Sequence, residues 1–258
     1  MATPSTTTFY QLPEDEIERL TKYIIHREGM LDKDMLPYAD PQDKDVLIFG
    51  CGYGNDALWA VRHGARSILC TDLSRGLSPV PFERALAQMG RSHSNYEFRV
   101  QNIHDTALGG ETFDLILSNG VFEHIMDLKG VLSAFRPLLR PGGRVAIFAD
   151  TLWYSSRGGH IRKGPWEHLY RTPDELRPEL DDRRWDVLCN HLNRMTATDF
   201  LEAVRAVGMI VLQLGLRSDP DLRLLPELLP RIEERHNVSA SDLSIVSIGC
   251  ELCFVENL

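Results

Sequence analysis

Two hydrophobic periods divide this chain. Between Pro13 and Glu28, Ile17, Leu20, Ile24 and Ile25 recur at helical spacing with acids in the first turn, which predicts an amphipathic helix. A loop from Gly29 to Lys44 follows. Then short apolar runs with β-branched residues begin to alternate with helical stretches. VLIF at 46–49, ARSILCTD ending on Asp72, NYEFRVQNI, FDLILSN and RVAIFAD ending on Asp150 read as five strands. NDALWAVRH before Gly64, Pro79–Met89 before Gly90, and a segment capped by Asp127 read as the helices between them. Pro137 is expected to kink the last of these, which ends at LRPGG. Helical spacing returns over Thr196–Val207. MIVLQLGL and IVSIGCELCFV read as two more strands, with a helical excursion at Leu222–His236 between them.

Strands alternating with helices at this spacing predict an α/β fold. The expectation is a seven-stranded, mostly parallel, Rossmann-like sheet with helices on both faces and a substrate-side insertion after the fifth strand. Residues 1–42 form an N-terminal helix and lid segment in this division, and 43–258 form the main domain. Within it, 151–195 lacks clean periodicity and is rich in Trp, His, Arg and Gly; it reads as a loop-rich cap over a substrate. Residues 219–243 form a second excursion.

Composition narrows this picture in three ways. A net charge of −9 over 258 residues argues against nucleic acid as a partner. No apolar run approaches the ~18 residues of a membrane span, and the first residues have neither a basic nor an apolar signal-peptide region. A cytosolic protein with a frayed N-terminal tail is expected. The five cysteines are an odd number in mostly apolar contexts, so free buried thiols are expected. Cys250 and Cys253 form a C-x-x-C, but no second pair accompanies it, and no metal site is assigned there.

The chemistry concentrates where the first strand ends. VLIFGCGYG places Gly50, Gly52 and Gly54 at alternate positions, with Cys51 between the first two. Such a turn between strand and helix presents backbone N–H groups to a ligand. Taken alone it admits two cofactors. GYGNDA matches the dinucleotide fingerprint, with Asp72 at about the distance of a ribose contact. Against that, Gly50 already occupies the first fingerprint position, and counting from it puts Asn55 third.

The stretches VLIFGCGYGNDAL, TDLS, VQNI before DTAL, ETFDLILSNGVFEHI and LSAFRPLLRPGGRVAI, in this order and spacing, resemble the class I S-adenosylmethionine-dependent methyltransferases of the broad small-molecule type. The resemblance covers roughly residues 43–150. It implies S-adenosyl-L-methionine as cofactor, with Gly50, Cys51, Gly52 and Gly54 along its methionyl part. It also implies Asp72 on the ribose hydroxyls, Leu73 over the adenine, Asn102 and Ile103 at the adenine edge and face, and Asn119 with Gly120 near the amino-acid end. Two positions depart from the pattern. Ile48 stands where the family often has an acid that helps place the methionyl ammonium, and Asn102 where it often has Asp.

The acceptor is then expected beyond the carboxyl ends of the strands. His124, His160 and His168 are the candidate bases. Glu123–His124 follows the fourth strand, and Gly120 stands where some relatives carry the first acid of a metal site. Trp153, Tyr154, Trp166, Tyr170 and His191 are candidate acceptor-pocket residues. Arg157 and Arg162, with Lys163 and Arg171, form a cationic cluster suited to an anionic acceptor. Each aromatic or histidine in this set has an ordinary alternative as core packing or surface. The function expected is methyl transfer to a small organic acceptor, oxygen favoured over nitrogen. The rivals are an NAD(P)-dependent oxidoreductase and a non-catalytic cofactor-binding partner protein.

Overall fold

Seven strands pair into one sheet in the order β3-β2-β1-β4-β5-β7-β6 in the computed structural model, which describes residues 9–74 and 77–258. The strands are β1 (Asp45–Phe49), β2 (Ser67–Asp72), β3 (Tyr96–Val100), β4 (Phe113–Asn119), β5 (Leu139–Asp150), β6 (Met209–Ser218) and β7 (Ile245–Phe254). β1 to β5 are parallel, and β7 runs antiparallel between β5 and β6. The strand order reverses between β1 and β4, so a crevice opens beyond their carboxyl ends. The expected frayed tail at residues 1–8 lies outside the described residues.

The apolar run at β1 is explained by burial on both faces. Val46 and Ile48 pack with Trp59, Phe82 and Phe98 on one side, while Leu47 packs with Ile116, Phe122 and Phe135 on the other. The helices Glu14–Glu28, Asn55–Arg62 and Val80–Gln88 cover the first face. Ile103–Leu108, Leu128–Ala134 and Ala197–Ala206 cover the second.

Local differences from the expected elements have identifiable causes. The third strand stops at Val100 because Asn102 caps a short helix, its side chain accepting the His104 N–H at 3.0 Å. Asp127 does cap its helix, through Gly130 N–H at 2.8 Å. That helix ends at Ala134, and Pro137 sits in a separate 3-10 turn, Arg136–Leu138, that feeds directly into β5. The cap contains helices rather than only loops: Glu167–Tyr170, Pro173–Leu176 and Asp182–Asn190. Their sequence signal is weak because two of the three are a single turn long.

The two excursions are one structural unit. Trp153, Trp166, Leu176 and Leu188 from 151–195 share a third hydrophobic cluster with Leu225, Ile232 and Leu243 from the later excursion. Four cysteines are buried and Cys189 is exposed; all five are free thiols. No helix among the described residues is long and apolar enough to cross a membrane.

Candidate cofactor and acceptor site

The glycine turn is built against two neighbouring strand ends. Gly50 and Cys51 donate their N–H groups to the Thr71 carbonyl at 2.8 and 3.1 Å. Gly50 has φ +75°, and a Cβ there would fall 2.4 Å from a Val121 methyl, so both backbone conformation and close approach demand glycine. Gly52 also has positive φ, but a Cβ there would meet nothing within 4 Å. Its open side is where a ligand can reach the backbone.

Asp72 at the end of β2 closes the turn. Its Oδ2 accepts the Gly52 N–H at 2.8 Å and its Oδ1 accepts the Ser74 N–H at 2.8 Å. Each carboxylate oxygen retains acceptor capacity, so two ligand hydroxyls can still be bound. Leu73 beside it is 70% exposed. Asn102 spends its side-chain oxygen on the helix cap. Ile103 is buried in the core with Leu47 and Leu69, which removes its side chain from the surface on which an adenine would lie.

Beyond β1 and β4 the crevice is polar. Asn119 donates its side-chain N–H to Asp56 Oδ1 at 3.0 Å, and Asn55 donates to the same oxygen at 3.0 Å. Asp56 lies in the first turn of Asn55–Arg62 and is only 5% exposed. Burial pushes its carboxyl up to about 6, against the lowering influence of Asn119, Arg27 and Asn55. Gly120 donates its N–H to the Phe148 carbonyl at 2.8 Å, tying the ends of β4 and β5. A cavity of about 540 Å³ is lined by Gly50, Cys51, Gly52, Asp56, Asn119 and Gly120, and by Tyr23 and Arg27 of the N-terminal helix. It shares Tyr23, Arg27, Asp150 and His160 with a cavity of about 920 Å³ that extends under the cap past Arg157, Arg162 and Lys163.

Two of the three candidate bases meet where these cavities join. The His124 and His160 rings stand edge to face with centroids 5.4 Å apart. His124 Nδ1 lies 2.6 Å from the His191 carbonyl oxygen, which needs a donor, so Nδ1 carries the proton and Nε2 is left as the acceptor. His160 Nε2 is buried without a partner. Burial, followed by the neighbouring His124, lowers the His160 pKa, so its ring is neutral near pH 7. Glu123 behind them is 3% exposed, and burial pushes its carboxyl well above the usual range.

The third candidate is differently placed. His168 is 8% exposed, with Nε2 2.7 Å from the Trp153 carbonyl, and burial takes it down to about 4. It touches the larger cavity, but its Nε2 is committed to holding the cap.

Several expected pocket residues serve the cap instead. Trp166 is fully buried and donates its indole N–H to the Tyr154 carbonyl at 2.9 Å. Trp153 is buried, with the Arg194 guanidinium over its ring, and Tyr170 lies under Arg231. Neither tryptophan nor either tyrosine, Tyr154 or Tyr170, lines the larger cavity. Arg171 is held by Glu167 and Glu179 at 2.6 and 2.5 Å. His191 lies 3.0 Å from Asp186 and borders the opening beside Asp72.

The residues that sequence reasoning missed are Tyr23, Arg27, Asp56, Glu123 as a buried acid, and Asp150. Asp150 had a usable signal: it ends β5 at the same sheet edge as Asp72 and Asn119. Tyr23 and Arg27 had none, because their helix is remote in sequence and reads only as amphipathic.

Residues 47–145 match the family model described as a methyltransferase domain. The chain is 30% identical over 159 residues to a ubiquinone biosynthesis O-methyltransferase from Rhizobium rhizogenes, covering 55% of this chain and 60% of that protein. It is 34% identical over 102 residues to phosphoethanolamine N-methyltransferase 1 from Triticum aestivum, covering 40% and 20%. The chain thus spans well under the full length of these relatives. Among solved structures, it resembles an S-adenosylmethionine dependent methyltransferase from Mesorhizobium loti with a TM-score of 0.52 at 17% identity, covering 84% of this chain and 94% of that one. At that identity the likeness speaks for the fold. The match over 47–145 leaves the oxidoreductase reading without support.

Proposed function

We propose that this chain, which matches a methyltransferase-domain model over residues 47–145, is a class I methyltransferase that transfers a methyl group from S-adenosyl-L-methionine to a small-molecule acceptor. The observation that carries the reading is the continuity of the two cavities. One wall is the glycine turn clasped by Asp72, and the far wall is the cap, with His124 and His160 where the two spaces join.

The residues present fit the cofactor. Open backbone at Gly52 and free lone pairs on Asp72 suit a nucleoside, and the polar crevice at Asp56 and Asn119 suits an amino-acid end. When bound, the cofactor supplies an electrophilic sulfonium methyl, so the protein has to place a nucleophile in line and manage its proton. His160 is neutral with its Nε2 unpartnered, and His124 presents Nε2. A base beside the acceptor favours an oxygen nucleophile, which loses a proton as it is methylated. Arg27, Arg157 and Arg162 line the larger cavity, which favours an acceptor bearing a carboxylate or phosphate.

Transfer of label from methyl-labelled S-adenosylmethionine to small acids and phenols, by the wild type and by His160→Ala, tests this reading. Label transfer by the wild type that falls steeply in the variant is expected. A protein that binds the cofactor but labels no small molecule under any condition would sink the catalytic reading.

A further inference from the structure

Resting on the cofactor reading above, we propose that Asp56 is the carboxylate that receives the α-ammonium group of the cofactor's methionyl end. The argument begins with a buried carboxylate that makes no ion pair among the described residues. Asp56 is 5% exposed, and both hydrogen bonds it accepts, from Asn55 and Asn119, come from neutral amides and fall on Oδ1. Oδ2 accepts none among the described residues. Burying a carboxylate without a countercharge is costly, and a chain that gains nothing from it would carry an apolar residue at such a place. The helix residues that follow it, Ala57, Leu58 and Trp59, are apolar and fully buried.

The location says what the charge is for. Asp56 lines the same cavity as Gly50, Gly52 and Asn119, at the end of the crevice away from Asp72. Arg27 lines that cavity too and also makes no ion pair among the described residues. One separated charge of each sign on the walls of one cavity is the complement of a zwitterionic amino-acid group. Ile48 adds a reason for the acid to be here. Its side chain is fully buried on the face packed by Trp59 and Phe82, so β1 contributes no carboxylate to the crevice. The helix that follows the glycine turn supplies one from the other side.

Asp150 and Glu123 are the rivals, because they are the other carboxylates on this cavity without an ion pair among the described residues; Asp34 is held by Arg217 at 2.6 Å. The test uses two probes, S-adenosylhomocysteine and 5′-methylthioadenosine, which lacks the amino-acid end. Both are titrated calorimetrically into the wild type, Asp56→Asn, Asp56→Ser, Asp150→Asn and Glu123→Gln. The ratio of the two affinities is read within each variant, so a loss of folded protein does not alter it. The expected result is a tenfold or greater loss of preference for S-adenosylhomocysteine in both Asp56 variants. 5′-Methylthioadenosine binding is expected to stay unchanged, and Asp150→Asn and Glu123→Gln are expected to keep the wild-type ratio. Equal weakening of both ligands, no change in either, or a loss carried by Asp150→Asn or Glu123→Gln overturns the proposal. Wild-type protein that binds neither ligand removes the cofactor reading itself.

Discussion

The cofactor half of this protein and its cap solve the problem of holding a site in opposite ways. In the cofactor half, each candidate residue stands at the end of a strand or in the first turn of the helix after it. Gly50 to Gly54 follow β1, Asp72 ends β2, Asn102 follows β3 and Asn119 ends β4. The sheet register places them, and backbone N–H groups bonded to neighbouring strand ends fix the turn. The cap has no strand of its own. It joins two segments separated in sequence, and a tryptophan-centred cluster with ion pairs holds their short helices together. On the proposed reading, a scaffold built on β-sheet register would serve one unchanging cofactor, and a side-chain-packed cap would let the acceptor pocket vary without touching the sheet.

That contrast is open to being broken, most forcefully at Trp166. Trp166→Ala removes a fully buried indole and its hydrogen bond to Tyr154, and a loss of roughly 3–5 kcal/mol is expected in the cap. Proteolysis and amide exchange at residues 151–195 should report it, while S-adenosylhomocysteine affinity stays within a few-fold. Collapse of cofactor binding in this variant would show that the two halves are not separable.

His160→Ala addresses the junction. Methyl transfer should fall by about 10²–10⁴, the usual contribution of a positioned base, with cofactor affinity unchanged. Next in size is Asp72→Ala, which removes the acceptor of the Gly52 and Ser74 amides and, on the proposed reading, of the ribose hydroxyls. A loss in cofactor affinity of about 100-fold is expected from two charge-assisted hydrogen bonds at ~1.5 kcal/mol each.

Asp56→Asn acts on stability with a defined pH signature. The folded-state pKa of about 6 stands above the ~3.9 of an unfolded aspartate. The folded protein therefore holds this proton more tightly, and the group's contribution to stability is full below about pH 4 and is lost as pH rises through about 6. Arg27 and the Asn55 and Asn119 amides face the carboxyl and favour its charge, but they do not overcome burial. Chemical denaturation should find Asp56→Asn more stable than wild type by roughly 2–3 kcal/mol at pH 8 and equal to it at pH 4. The smallest effect is expected for Arg171→Gln, which breaks the ion pairs to Glu167 and Glu179. It should speed local amide exchange around 167–180 without moving the global melting temperature.

The same contrast decides what the sequence makes legible. β1, β2, β4 and β5 announce themselves because burial on both faces demands unbroken apolar runs, and Asp72 and Asn119 stand out as polar residues that end them. Gly50 is readable because sterics leave no other residue there. Ile103 is ambiguous in the sequence because an adenine contact and a core contact draw on the same apolar side chain; the structure places that side chain in the core. Trp153 and Trp166 are misread for a related reason: a pocket wall and a cap core have the same composition. Asp56 and Arg27 are invisible locally, since what matters about each is the missing partner, and only tertiary structure reveals that.

The central claim is that the turn clasped by Asp72 holds S-adenosylmethionine. Calorimetric titration of S-adenosylhomocysteine into the wild-type chain tests it most directly. Saturable binding at one site per chain, abolished or strongly weakened in Asp72→Ala, is the predicted result. No heat of binding at millimolar ligand, or binding that Asp72→Ala leaves untouched, would contradict it.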